Sequence, residues 1–249
     1  MAGHSKWKNI RIRKGKQDAI RGKLFTKLSR EIIVAAKMGG ADPETNVRLR
    51  LAIAKAKENS VPRDNIERAL AKGAGNVEGE NYEELCYEGV GPAGVAFMVE
   101  VYSENKNRTV SELRHAFNKH GGGLTENGSV AWQFKSCGMI LIDKSAGDED
   151  TVTMAALEAG ASDVLVDDED TYTIYTAVED LHQTNNALNE AGFATKDGGL
   201  TRIPTNMASP GDEDWAKIIR LYDALEDLDD TKEVFMNVEI PESAYEGID

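Results

Sequence analysis

Near residue 80 the sequence changes two things at once: the sign of its charge and the period of its apolar residues. Through Gly75 there are 18 lysines and arginines against 7 acids, and beyond it 11 against 36. The densest part is Met1–Lys37, where eleven basic residues face only Asp18 and Glu31. A basic front attracts polyanions, and an acidic body of about −25 repels them and limits how the molecule can lie on one. The split also argues against one uniform domain, as does a length of 249 residues. A hydrophobic content of 41% is enough for real cores.

Residues Ala2 to Lys16 lack periodicity and place Trp7 between Lys6 and Lys8, which reads as an arm without a core of its own. A helix is predicted from about Asp18, with Ile20, Leu24, Leu28, Ile32 and Ala35 on one face, Lys23, Lys27, Arg30 and Lys37 on a neighbouring stripe, and Met38-Gly39-Gly40 at its end. Asp42-Pro43-Glu44 offers an N-cap acid and a first-turn proline for a second helix to about Asn59, and Pro62 starts a third over Arg63 to Lys72. The stretch Gly75 to Glu80 closes this helical part.

From there the period alternates. Strands are predicted at Tyr82–Tyr87, Val95–Tyr102 and Val130–Phe134, with a helix at Thr109–Lys119. The order from Gly138 to Pro204 reads strand, helix, strand, strand, helix, strand, which is complete as a split βαβ sandwich. A helix at Glu213–Asp227 and a strand at Glu233–Ile240 then return to the incomplete half. The expected fold is α+β with three domains. They are a basic arm and helical domain (1–80), a discontinuous α/β domain (81–135 plus 207–249), and an inserted βαββαβ domain (136–206), the last two ferredoxin-like.

Cys86 and Cys137 have no framework spacing and read as reduced thiols. No apolar run approaches a membrane span, so the expectation is a soluble cytoplasmic protein with no membrane partner. Gly89 to Gly94 satisfies GxGxxG, but it leads into the alternating run from Val95, whereas a dinucleotide fingerprint opens a helix. Gly121-Gly122-Gly123 reads as a helix end. His115 and His120, five apart on a helix, are expected to turn away from each other, and no cysteine completes a zinc set with them. No cofactor or metal is expected. Asp167 to Asp170 reads as a solvated turn, and the acidic run Asp223 to Asp230 sits unfavourably at a helix C-terminus, which hints at a protein-binding role.

Several blocks of residues resemble the YebC/PmpR family. They are Ala2 to Trp7, GKLFTKLSREI from Gly22, GGADPETNVRLR from Gly39, PRDNIERALAKGAG from Pro62, YEGVGPAGVAF from Tyr87, NKNRTVSELRHAFNKHGG from Asn105 and GSVAWQF from Gly128. The resemblance implies a helical N-terminal domain and two α/β domains, and no enzymatic activity. It also implies one of two roles: DNA-binding transcriptional regulation, or translation activation at the ribosome, as for a mitochondrial member that supports cytochrome c oxidase synthesis. The chain departs from the family pattern at Ile12, where a histidine is common, at Gly15-Lys16, where alanines are common, and at Val47, where a proline is common.

The candidate nucleic-acid contacts are His4, Lys6, Trp7, Lys8, Arg11, Arg13, Lys14, Lys16, Arg21, Lys23, Lys27, Arg30, Arg48 and Arg50. Lysines and arginines neutralise phosphates and release counterions. Trp7 either stacks on a base or packs on the helices. His4 bonds either phosphate or the protein's own backbone. Arg48 and Arg50, two apart on a helix, cannot fully share a face, so one at most joins that surface. Two targets fit these residues. Promoter DNA would be read through shape or by a dimer, because no recognition helix is evident. Ribosomal RNA would receive the arm while the acidic domains face basic ribosomal proteins or tRNA. An enzyme would need a converging polar cluster, which the spacing does not show.

Overall fold

The protein is described by a computed structural model covering residues 17–75, 81–166, 170–241 and 244, with side chains of these except 17–21 and 196–197. The described chain forms two compact units, Gln133–Asn206 and the remainder. The predicted boundary at 76–80 lies outside the described residues.

Three helices lead: α1 (Gln17–Gly39), α2 (Val47–Glu58) and α3 (Arg63–Gly73). Leu28, Ile32, Ala35 and Ala36 recur at helical spacing on α1 and join Leu49, Ala52, Ala56, Ile66 and Ala69 in one core. Truncating fully buried Leu49 to alanine should cost about 2–5 kcal/mol. Gly73 lets α3 lie against α1, since a Cβ there would sit 2.6 Å from the Ala36 Cβ.

The cap of α2 differs from expectation. Asp42 closes only a local turn, accepting from the Glu44 amide at 3.0 Å, and Asn46 caps the helix. Buried Asn46 accepts from the Leu49 amide at 3.0 Å and donates to the Ala35 and Gly40 carbonyls at 2.8 and 2.7 Å. One amide thereby satisfies the end of α1 and the start of α2, which an acceptor-only carboxylate cannot do.

The same unit holds the strands β1 (Glu83–Val90) and β2 (Ala96–Ser103), helix α4 (Lys106–Lys119) and strand β3 (Gly123–Leu124). After the 133–206 unit it resumes with α7 (Trp215–Glu226) and β8 (Thr231–Met236). The sheet order is β3-β1-β2-β8, antiparallel throughout, so β2 and β3 run parallel with β1 between them and α4 as their crossover. Alternation sends Phe97 toward α4, where it meets Phe117 edge-on with ring centroids 5.9 Å apart, and sends Tyr102 to the helical core.

The 133–206 unit contains β4 (Phe134–Asp143), α5 (Glu149–Glu158), β5 (Asp163–Leu165), β6 (Thr171–Thr176), α6 (Leu181–Glu190) and β7 (Thr195–Pro204). Its order, β5-β6-β4-β7, is that of the split βαβ sandwich, closed over Ile140, Ile142, Val152, Ala156, Ile174 and Leu188.

The protein is thus α+β, with two separate four-stranded antiparallel sheets and a helical N-terminal region. Val130–Phe134 is not a strand: Ala131–Gln133 is a short 3-10 turn, and β4 begins at Phe134. The reason is Glu88, a buried carboxylate on β1 that gathers the amides of Gly128, Val130 and Ala131 at 2.6, 2.7 and 2.9 Å. Amides that bend toward one carboxylate cannot also form a ladder.

Candidate nucleic-acid interface

Of the expected contacts, His4, Lys6, Trp7, Lys8, Arg11, Arg13, Lys14 and Lys16 lie outside the described residues, as does the side chain of Arg21. The structure places the remaining five in two different situations.

Lys23, Lys27 and Arg30 stand at successive turns of α1 and meet the C-terminal end of α7. Lys27 Nζ donates to the Glu226 carbonyl at 2.8 Å and to its carboxylate at 3.0 Å. Lys23 donates to the Asp227 carbonyl at 3.1 Å, with the Asp227 carboxylate 3.8 Å away. Arg30 bonds the Asp229 carbonyl, lies 3.3 Å from the Asp230 carboxylate, and has its guanidinium 5.2 Å from the centre of the Tyr82 ring. Asp230, 2% exposed, also accepts both oxygens' worth of Arg108 at 3.1 Å and the Thr109 hydroxyl at 2.6 Å. The last carbonyls of a helix carry partial negative charge, and cations from another helix complement them. The acidic run from Asp223 to Asp230, awkward in the sequence, is met within the same molecule.

Arg48 and Arg50 part company. Arg48 turns inward, donating to Glu31 and Glu84 at 3.1 Å each and to the Tyr102 hydroxyl at 2.9 Å, while Tyr102 donates to Glu31. Lys232 extends the network to Glu84 at 2.9 Å and Glu100 at 3.0 Å. Burial raises the Glu84 carboxyl, but Lys232 and Arg48 outweigh it and hold the group below the usual carboxylate range. Burial, then Glu31, drives the Tyr102 phenol well above its ordinary value. Arg50 faces solvent and reaches only the Pro43 carbonyl, at 3.3 Å, and the Glu44 carbonyl, at 3.5 Å.

Lys57, two turns after Arg50, shares its exposed face of α2, and Arg68 is exposed on α3. None of Arg50, Lys57 and Arg68 has an ion pair among the described residues. Lys57 and Arg68 lie outside the densest basic stretch, so basic density alone does not single them out. The available signal was their position opposite the apolar stripes of α2 and α3.

Gly89 to Gly94 forms the connection between β1 and β2, with Ala93 and Gly94 both at positive φ, 54° and 75°. The glycines therefore open a strand. Among the described residues no group of three or more His, Cys, Asp or Glu could hold a metal ion, and no helix is long and apolar enough to cross a membrane. Cys86 and Cys137 form no disulfide among the described residues. Asp167 to Glu169 lie outside the described residues. The two histidines correct an expectation: His115 and His120 line one cleft, because His120 follows the end of α4 and leaves helical geometry, at φ −107° and ψ 17°.

The profile described as "TACO1/YebC protein N-terminal domain" matches residues 5–76, and that described as "TACO1/YebC second and third domain" matches 82–238. The chain belongs to the TACO1/YebC family. Within the family it is 50% identical over 249 residues to a "Probable transcriptional regulatory protein" of Persephonella marina, covering 100% of both chains. It is also 50% identical over 240 residues to "Probable transcriptional regulatory protein YebC" of Salmonella typhimurium, covering 96% of this chain and 97% of that one. Among solved structures, a conserved hypothetical protein of Aquifex aeolicus superposes with a TM-score of 0.83 at 46% identity, covering 90% of this chain and 93% of that one.

Proposed function

We propose that the protein is a non-enzymatic regulator of gene expression that holds nucleic acid through its basic front, acting as a DNA-binding transcriptional regulator. The observation that carries this reading is the charge division, 18 basic and 7 acidic residues through Gly75 against 11 and 36 beyond. The names of its relatives agree with a regulatory role. With Lys23, Lys27, Arg30 and Arg48 paired internally, the phosphate contacts fall to the arm, His4 to Lys16, and to the outward Arg50 and Lys57. Such contacts give affinity that falls steeply with salt.

A second reading follows from the same charge split: the arm enters ribosomal RNA as part of a translation activator, and the acidic domains face basic ribosomal proteins or tRNA. The chain carries no evident base-reading helix, which favours this alternative over a sequence-specific DNA contact. In either case the working unit has three domains: 1–80, 81–135 plus 207–249, and 136–206.

One competition experiment separates the two. Labelled protein, purified ribosomes and excess long duplex DNA are mixed at physiological salt and separated by sedimentation. Retention on DNA supports the transcriptional role; retention on ribosomes replaces it with the translational one. Changing Lys6, Lys8, Arg13 and Lys16 together to Glu should abolish binding to either target, and undiminished binding would overturn the assignment of the arm.

A further inference from the structure

Between α4 and α7 lies a cleft of about 430 Å³. Its apolar lining is Ala116 of α4, Ala224 of α7 and Leu228 just beyond α7. Its rim is polar: Glu112, His115 and Lys119 from α4, then His120. Arg220 stands one turn before Ala224, close enough that its charge, with those of Lys119 and His115, acts on His120.

Most other described cations of the acidic body are engaged, Arg114 and Lys135 excepted. Lys106 is paired with Glu83 at 2.8 Å, Arg108 with Asp230 at 3.1 Å, Lys217 with Asp214 at 3.6 Å and Lys232 with Glu84 at 2.9 Å. Lys144 donates to the Val166 carbonyl at 2.8 Å. By contrast the side chains of Lys119, Arg220, His115 and His120 make no hydrogen bond or ion pair among the described residues. Burial, then Lys119, Arg220 and His115, lowers the His120 pKa. His115, Lys119 and His120 line this hollow beside the one lining carboxylate, Glu112, and Arg220 stands one turn before Ala224, so basic groups outnumber acids there and an anion would complement the surplus.

We infer that the α4–α7 cleft is a phosphate-ester site, with Lys119 and Arg220 supplying charge and His115 and His120 hydrogen-bond donors to the phosphoryl oxygens. The hollow over Ala116, Ala224 and Leu228 accommodates part of the esterified group. This goes beyond the arm's proposed role and does not depend on it. The same chemistry is offered by a free nucleotide and by a nucleic-acid backbone.

The test uses the full-length protein and follows the imidazole C–H signals of His115 and His120 by NMR, assigned through single His→Gln variants. Three probes are titrated: inorganic phosphate, adenosine monophosphate and a short single-stranded oligonucleotide. Saturable shifts of both signals with the mononucleotide identify a nucleotide site; shifts with the oligonucleotide alone identify a backbone contact. In either case Lys119→Gln with Arg220→Gln should weaken the response about tenfold or more. Glu112→Gln, which removes the one carboxylate on the rim, should strengthen it. Both variants should keep the wild-type unfolding midpoint, because the side chains are not paired.

Repeating the titration with Lys6, Lys8, Arg13 and Lys16 changed to Glu keeps the two proposals apart. If the arm variant still binds oligonucleotide in full while the histidine shifts persist, the arm assignment fails and the cleft stands. The cleft assignment is overturned if no probe shifts either histidine, or if the shifts survive the Lys119 and Arg220 substitutions unchanged.

Discussion

Two sets of cations stand beside α7, and they differ in what faces them. Lys23, Lys27 and Arg30 meet helix-end carbonyls and the carboxylates of Glu226, Asp227 and Asp230. Lys119, Arg220 and the two histidines surround alanines and one another. The first set fastens α1 to the far end of the chain, a structural role. The second is left for a ligand. Arg48 and Arg50 repeat the contrast on a single helix, one inside an ion network and one outside it. Basic residues count toward binding only after their internal partners have been subtracted.

The contrast breaks most visibly at Asp230. Asp230→Ala would leave Arg30 and Arg108 facing an empty site, and should destabilise the protein by about 3–5 kcal/mol in urea unfolding. Lys27→Gln with Arg30→Gln should cost less, about 1–3 kcal/mol, and leave DNA affinity of the folded protein unchanged. If affinity collapses without loss of stability, these residues belong to the binding surface instead.

A weaker effect is expected from acid. Because the folded Glu84 carboxyl is held below its unfolded value, the stability it contributes is present above the unfolded pKa. It is lost as the pH falls through the folded one. Glu84→Gln should therefore lower stability at neutral pH and flatten its decline toward acid, read from urea midpoints across a pH series. The smallest change in stability, within about 0.5 kcal/mol, belongs to Arg50→Glu with Lys57→Glu. That pair should nonetheless lower the slope of log affinity against log salt on duplex DNA by about 2.

Much of this architecture was legible in the residues. The three leading helices follow from apolar spacing, and α3, over Arg63–Gly73, differs from its predicted span by one residue. Strands β1 and β2 followed from alternation, and the interrupted sheet from a lone helix and strand after residue 206. What escaped were features decided by one side chain acting at a distance. Asn46 took the cap from Asp42 because it bonds α1 as well as α2. Glu88 drew in the amides of Gly128 to Ala131, forty and more residues away, against a local pattern that favoured a strand. His115 and His120 line one cleft because α4 ends at Lys119 and His120 leaves helical geometry. The internal pairing of Lys23, Lys27 and Arg30 was hidden for the same reason, since their partners lie about two hundred positions along the chain.

The 133–206 unit begins and ends on neighbouring strands: Phe134 pairs with Pro204, and the Thr205 amide bonds the Gln133 carbonyl at 2.7 Å. This sets an order of assembly. Strand β8 must reach β2 across that whole intervening stretch, and closing so long a flexible loop is slow. Once β4 and β7 have paired, the two ends emerge side by side and the separation to be closed is shortened by the length of that unit. During synthesis the β2 edge stays open until β8 has been made, and an open edge of this kind is exposed to wrong pairing.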